Sequence, residues 1–194
     1  MEGNVDQLCP FCRAPATTSD EENTKLVMKR VDMGDAIAIY NLACFYADEM
    51  YGIPHDMDKA LELWHQAGEL GKASAYNSIG YAYYYGNGVE RDIEKAKHYW
   101  ELAAMNGDVQ SRYNLGIMEG KAGNYHRGMK HYVLAAKAGF KPSLDKVKEG
   151  FKHGLVTRDE YANSLRANQS QQDKLKSDAR DKARAHINNG VMRV

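Results

Sequence analysis

The chain has 194 residues, 43% apolar and 27% charged, with 26 basic and 26 acidic side chains. This describes a soluble globular domain or an elongated array, and a zero net charge gives no electrostatic reason to expect nucleic acid or an anionic membrane as partner. Three cysteines cannot all pair within one chain, a core of this size needs no disulfide or metal, and the apolar run Ala36 to Ala47 is too short to cross a bilayer.

At the start, Met1 to Leu8 carries Glu2 and Asp6 and has no basic stretch leading into an apolar core. No secretory signal is read there, and an intracellular, cytoplasmic setting is expected. Residues 1–18 are expected to be disordered or extended, with Cys9-Pro10-Phe11-Cys12 as their one chemical feature. Two ligands at that spacing can bind zinc, but a closed tetrahedral site needs a second pair, so no cofactor is expected unless the missing half is supplied.

Only four prolines occur, and between Pro54 and Pro142 the apolar residues recur at three and four, which predicts an all-α protein. Ser19-Asp20-Glu21-Glu22 is a capping box that opens a helix running to about Met33 and stopped by Gly34, giving a front cap over 19–34.

From there the chain repeats. A shift of 36 lays Ala60 on Ala96, Trp64 on Trp100, Ala67 on Ala103 and Gly71 on Gly107. A further shift of 32 carries Trp100 to Tyr132, Ala103 to Ala135 and Gly107 to Gly139, with Gly128 in the place of Ala96. Upstream in each unit stands a second signature, Tyr40-Asn41-Leu42-Ala43, Asn77-Ser78-Ile79-Gly80 and Tyr113-Asn114-Leu115-Gly116. The units are therefore 35–71, 72–107 and 108–139, each a pair of helices that cannot bury its apolar stripe alone and must stack on its neighbours.

Each repeated position has a physical role. Ala60, Ala67, Ala96, Ala103 and Ala135, with Gly80 and Gly116 on the facing helices, permit close approach of backbones. Trp64, Trp100 and Tyr132 are wedges whose burial contributes roughly 2–3 kcal/mol each. Gly71, Gly107 and Gly139 stop the second helices by taking the left-handed conformation there, and Asp35 and Asp108 offer oxygen caps to the helices that follow.

Beyond the repeats, Pro142 suits a first helical turn, Gly154 a helix end, and Thr157-Arg158-Asp159-Glu160 a second capping box. A long solvated helix follows within a back cap over 140–187, and Asn188-Asn189-Gly190 is expected to end it, leaving 188–194 as a tail.

On these residues the chain resembles the Sel-one-like repeat family, relatives of the tetratricopeptide arrays. The second unit carries the resemblance most fully, through Ala75, Ile79-Gly80, Tyr83, Gly86-Asn87-Gly88-Val89, Asp92, Lys95-Ala96, Trp100, Ala103-Ala104 and Gly107. The first departs with Ala43 for glycine and Met50-Tyr51-Gly52-Ile53 in its loop, and the third lacks the loop. The resemblance implies a right-handed α-α superhelix, or solenoid, of three repeats with helical caps at both ends, acting as an adaptor for other proteins. Cys9-Pro10-Phe11-Cys12-Arg13 also looks like the last ligand pair of a RING-type zinc finger, which implies as an alternative the substrate-binding part of a ubiquitin ligase with a truncated finger.

First helices of such arrays line the concave surface. In the second unit Tyr76, Ile79, Gly80 and Tyr83 form a core-facing stripe, while Asn77, Tyr81 and Tyr84 share the opposite face. Aligned with these are Tyr40 and Cys44 in the first unit and Tyr113 and Ile117 in the third. Tyrosine gives a large amphipathic contact with few torsions to freeze, which suits peptide capture, though the same rings can pack between units.

Other motifs fail. Gly68-Glu69-Leu70-Gly71-Lys72-Ala73 lacks the first glycine and the hydroxyl of a phosphate loop, and the seven histidines form no ligand pair at helical spacing. No nucleophile with base and orienter is legible, so an enzyme is not expected and the partner is read as another protein, with an enzyme on a helical scaffold, its groups converging from distant repeats, as the second alternative.

Overall fold

A computed structural model describes residues 20–191, with side-chain surroundings given for 22–182. Cys9 and Cys12, segment 1–18 and the Ser19 cap lie outside the described residues. Within them all regular structure is helical: α1 Asp20–Asp32, α2 Ala36–Asp48, α3 Met57–Glu69, α4 Ala73–Tyr85, α5 Ile93–Met105, α6 Val109–Lys121, α7 Tyr125–Lys137, α8 Lys141–Lys152 and α9 Arg158–Val191. The chain divides after Asp108 into two compact units, the first holding α1 to α5 and the second α6 to α9.

In the first unit, α2 packs on α3 and α4 on α5 as helix hairpins, with α3 against α4 and α1 against α2. Three helix starts are fixed by an aspartate, while α4 begins after Lys72 with no side-chain cap. Asp35 accepts from the Ile37 and Ala38 amides at 2.9 and 3.2 Å. The Arg30 guanidinium grips its other oxygen and, with those amides, holds the carboxyl below the usual carboxylate range. Asp56 and Asp92 each accept from an amide at 2.9 Å, Lys59 and Lys95 respectively, and so open α3 and α5.

The helix ends follow the glycines. Gly71 and Gly107 sit at φ +88° and +89°. Just after them the Lys72 and Asp108 amides reach back to the Ala67 and Ala103 carbonyls, each at 2.9 Å. This closes the orphan carbonyls of the last turn.

The alanines of the repeat are fully buried, among them Ala60, Ala67, Ala96 and Ala103. Around them Ile39, Leu42, Phe45, Leu63, Trp64 and Ile79 form the first core, and Trp100 is 2% exposed. Trp100 lies directly on α4. A Cβ added at Gly80 would stand 2.5 Å from its ring, so only glycine leaves room for it.

The loops after α2 and α4 solve the same turn differently. Gly86 ends α4 at φ +72°, whereas Glu49 occupies the equivalent cap at φ +52°. An L side chain is strained there and glycine is not. Glu49→Gly is therefore expected to raise stability by about 0.5–1 kcal/mol in urea melts, and a loss would show that the Glu49 side chain stabilises this turn.

In the second unit α6 pairs with α7, and α7 also carries α8 and α9. Although the loop is missing, the hairpin forms. Gly123, at φ +81°, turns the chain between the two helices, and the Asn124 amide bonds the Glu119 carbonyl at 2.8 Å. Gly139 at φ +96° ends α7, with the Phe140 amide on the Ala135 carbonyl at 3.1 Å. Tyr132, Val133, Ala136, Val147 and Val156 form the second core. Desolvation there pushes the Tyr132 hydroxyl up to about 12.

The capping box at 157–160 closes reciprocally. The Glu160 amide donates to Thr157 Oγ1 at 3.2 Å, while Glu160 Oε2 accepts from the Thr157 amide and hydroxyl at 2.9 and 2.8 Å. These bonds hold the Glu160 carboxyl below its ordinary range. Further along α9, the buried Asn168 donates to the Ala136 carbonyl and Gln172 to the Gly139 carbonyl, each at 2.9 Å. Two carboxamides thus cap the end of α7 from another helix. The expected stop at Asn188-Asn189-Gly190 does not operate, since α9 continues to Val191. A single glycine in a helix costs only about 1 kcal/mol, too little to enforce an end.

Candidate functional site

A cavity of about 390 Å³ opens in the first unit, with walls from α2, α3 and α4. Tyr40 and Cys44 come from α2, Trp64 from α3, and Ser78 and Tyr81 from α4. Asp48, His55 and Asn87, at or beyond the helix ends, complete the lining. Helical phase explains the set: Tyr40 and Cys44 are one turn apart and share a face, as do Ser78 and Ala82.

The Ser78 hydroxyl donates to the Ser74 carbonyl at 3.3 Å, which leaves its oxygen to accept from the Tyr40 hydroxyl at 3.4 Å. The Lys72 ammonium lies 5.2 Å from the Tyr40 ring centroid. His55 Nδ1 is 3.0 Å from the Ala47 carbonyl. Burial raises both the Tyr40 hydroxyl and the Cys44 thiol, so neither is ionised near neutrality. Cys44 therefore stands in the wall as a small, protonated thiol.

Of the seven expected contact residues, Tyr40, Cys44 and Tyr81 meet at this cavity. Asn77 and Tyr84 belong to the seat of Trp100. The Trp100 indole N–H donates to the Asn77 carbonyl at 3.2 Å, and the rings of Tyr81 and Tyr84 lie 5.4 and 5.2 Å from the indole. Tyr113 and Ile117 are in the second unit, packed against its core, where the Tyr113 ring is 5.5 Å from Tyr132.

The stripe expected to face the core meets other aromatic rings as well. Tyr76 covers Gly68, and Tyr83 stacks on Tyr99 at 5.8 Å. Tyr99 also receives His65, with Nε2 2.8 Å from its hydroxyl. The histidines expected to be solvated are exposed at His55, His65, His98, His126 and His153, but His131 is half-buried, since it replaces Tyr99 on the inner side of its helix.

Trp64, Ser78, Asp48 and His55 were not legible as cavity residues. The signal available for Trp64 was Ala43, which stands where the other units carry glycine. Among the described residues no group of three or more His, Cys, Asp or Glu could hold a metal ion. No helix among them is long and apolar enough to cross a membrane.

The Sel1 repeat family matches residues 36–72, 73–108 and 109–140, more than half of the chain. The chain belongs to the Sel1 repeat family. These boundaries fall one residue later than those read from the sequence. The Sel1 repeat is a scaffold for protein–protein interaction, and this chain is such a module.

Similar proteins include two from Arabidopsis thaliana. The ERAD-associated E3 ubiquitin-protein ligase component HRD3B is 30% identical over 113 residues, 58% of this chain and 18% of its own. Component HRD3A is 41% identical over 61 residues, 31% of this chain and 9% of its own. The human protein sel-1 homolog 2 is 29% identical over 96 residues, 50% of this chain and 14% of its own. The chain thus spans less than a fifth of the length of these curated relatives. Among solved structures, a Sel1 repeat protein from Oxalobacter formigenes superposes with a TM-score of 0.67 at 23% identity, covering 79% of this chain and 64% of that one. The antigen c5321 of uropathogenic Escherichia coli gives 0.63 at 24% identity, covering 78% and 33%. These likenesses establish the all-helical Sel1 repeat fold.

Proposed function

We propose that this Sel1 module is a non-enzymatic adaptor whose first-helix face, centred on the cavity between α2, α3 and α4, seats an extended segment or helix of a partner protein. The observation that supports the reading is the meeting of Tyr40, Cys44 and Tyr81, from two successive repeats, around one cavity. Asn77 and Tyr84 border this face from the seat of Trp100, while Tyr113 and Ile117 belong to the other compact unit and are proposed as contacts of that unit by itself. No cofactor takes part, and the module works in a reducing, cytoplasmic setting that keeps Cys44 a free thiol.

The test is partner capture on the full chain carrying Tyr40→Ala and Tyr81→Ala together, with Tyr125→Ala as an exposed control. Two truncated aromatic contacts are expected to weaken binding about tenfold or more, while the control binds as wild type. A folded double variant that retains every partner at wild-type affinity removes the assignment.

A second reading is favoured by the likeness to two ubiquitin-ligase components. Here the partner is a ligase substrate, and Cys9 and Cys12 are the last ligands of a RING-type finger completed by upstream sequence. Transcript sequence ahead of Met1 decides it, because the remaining cysteine and histidine ligands must appear there.

A further inference from the structure

Trp64 and Trp100 hold equivalent positions in the first two repeats but have different fates. In the second repeat Gly80 lets the indole lie on α4, so close that an added Cβ would stand 2.5 Å from Trp100 Nε1, and the N–H reaches the Asn77 carbonyl at 3.2 Å. In the first repeat Ala43 takes the glycine's place and is fully buried. At the equivalent position of the second repeat a Cβ would stand 2.5 Å from the pyrrole edge of Trp100, a clash that the Ala43 methyl imposes on any indole seated at that depth. The consequence is on the indole nitrogen. Trp64 Nε1 is buried with no hydrogen-bond partner, and its sulfur neighbour Cys44 is only a weak acceptor. Trp64 is 6% exposed and forms part of the cavity wall.

We infer that the Trp64 indole N–H is the anchoring donor of this cleft and receives an uncharged amide carbonyl from the bound partner segment. The inference rests on the cleft reading above. The cavity chemistry favours an uncharged amide over a carboxylate: the lining carries the Asp48 carboxylate, and the Lys72 ammonium at its edge, over the Tyr40 ring, offsets that charge, so the pair leaves no net positive charge to hold an anion. An amide also brings an N–H, which Asp48 or the Ser78 hydroxyl oxygen can accept. Apolar contact comes from Ala47, Met57 and Ala82. An unsatisfied buried donor is costly, and binding that supplies its acceptor recovers that cost.

The two tryptophans give two indole N–H signals in the ¹⁵N-labelled full chain, a direct readout. Trp64→Phe assigns them, and Ala43→Gly does so if that variant fails to fold. With N-acetylglutamine methylamide the Trp64 signal is expected to move downfield to saturation while Trp100 stays fixed. N-acetylalanine methylamide moves it equally if a main-chain amide is the ligand, and less if a side-chain carboxamide is. Acetate leaves it still. In Ala43→Gly the indole settles onto the Tyr40 carbonyl, so the signal lies downfield without ligand and no longer responds. A Trp64 signal that ignores both amides, or follows acetate equally, overturns the inference. In partner capture, an Ala43→Gly chain that binds as wild type while the Tyr40 and Tyr81 double variant does not overturns the anchor and leaves the cleft. Loss in neither removes the cleft itself.

Discussion

Trp100→Ala is expected to lower stability by about 3–5 kcal/mol, the largest effect of any single side-chain truncation in the first unit. The indole is 2% exposed and fills the concavity over Gly80, edged by Tyr81 and Tyr84. Neither α4 nor α5 can collapse into the space, because Ala96 and Ala103 are already fully buried at the hairpin contact. The substitution also ends the indole bond to the Asn77 carbonyl. Trp64→Ala is expected to cost less, on the order of 2–3 kcal/mol, since that ring borders an existing cavity and its N–H makes no hydrogen bond. Urea melts of the two variants check the ranking as well as the magnitude. Equal losses would mean that the Ala43 methyl does not hold Trp64 off its helix, and a Trp100→Ala loss below about 1 kcal/mol would remove its role as a wedge.

The hairpins, their stops and their wedges were legible because each depends on one residue type with one local cause. A positive φ at Gly71, Gly107 and Gly139 and a reciprocal cap between Thr157 and Glu160 are decided within a single turn. The face of α4 was harder to read. Residues 76, 79, 80 and 83 are spaced as one stripe, and 77, 80, 81 and 84 as another, sharing Gly80. A helix with neighbours on two sides needs both stripes, and period alone does not say which neighbour meets which. The structure gives Tyr76 to Gly68 of α3, and Asn77, Gly80, Tyr81 and Tyr84 to Trp100. A large indole spreads over more than one turn, so residues on the expected open face become its rim. The caps that Asn168 and Gln172 place on α7 were beyond reach for another reason. They join residues over thirty positions apart, and nothing local marks a polar carboxamide on a solvated helix as a distant cap.

The third hairpin turns the repeat's own logic against substitution by consensus. Gly128 stands where the first two repeats carry Ala60 and Ala96, and replacing a helical glycine by alanine ordinarily contributes about 1 kcal/mol of helix stability. Here the reverse is expected. A Cβ at Gly128 would lie 2.9 Å from the Gly116 carbonyl oxygen and 3.4 Å from the Gly120 nitrogen, both backbone atoms that no side-chain rotation can move aside. The helices are held at this distance by the shortened turn and by Glu119, which replaces the tyrosine of the other repeats and is 4% exposed. Its carboxylate takes Asn124 Nδ2 at 2.9 Å and Arg127 Nη2 at 3.1 Å, tying the start of α7 to the end of α6. Overpacking against a clamped backbone costs roughly 1–3 kcal/mol, enough to outweigh the propensity gain and leave Gly128→Ala less stable by about 1–2 kcal/mol. The clamp makes a second, sharper demand. In a Glu119→Gln background the ion pair to Arg127 is weakened and α7 is freer to shift, so Gly128→Ala is expected to cost less there than in the wild-type chain. A double-mutant cycle in urea reads this as a positive coupling, whereas strict additivity would mean that Glu119 does not set the spacing of the two helices.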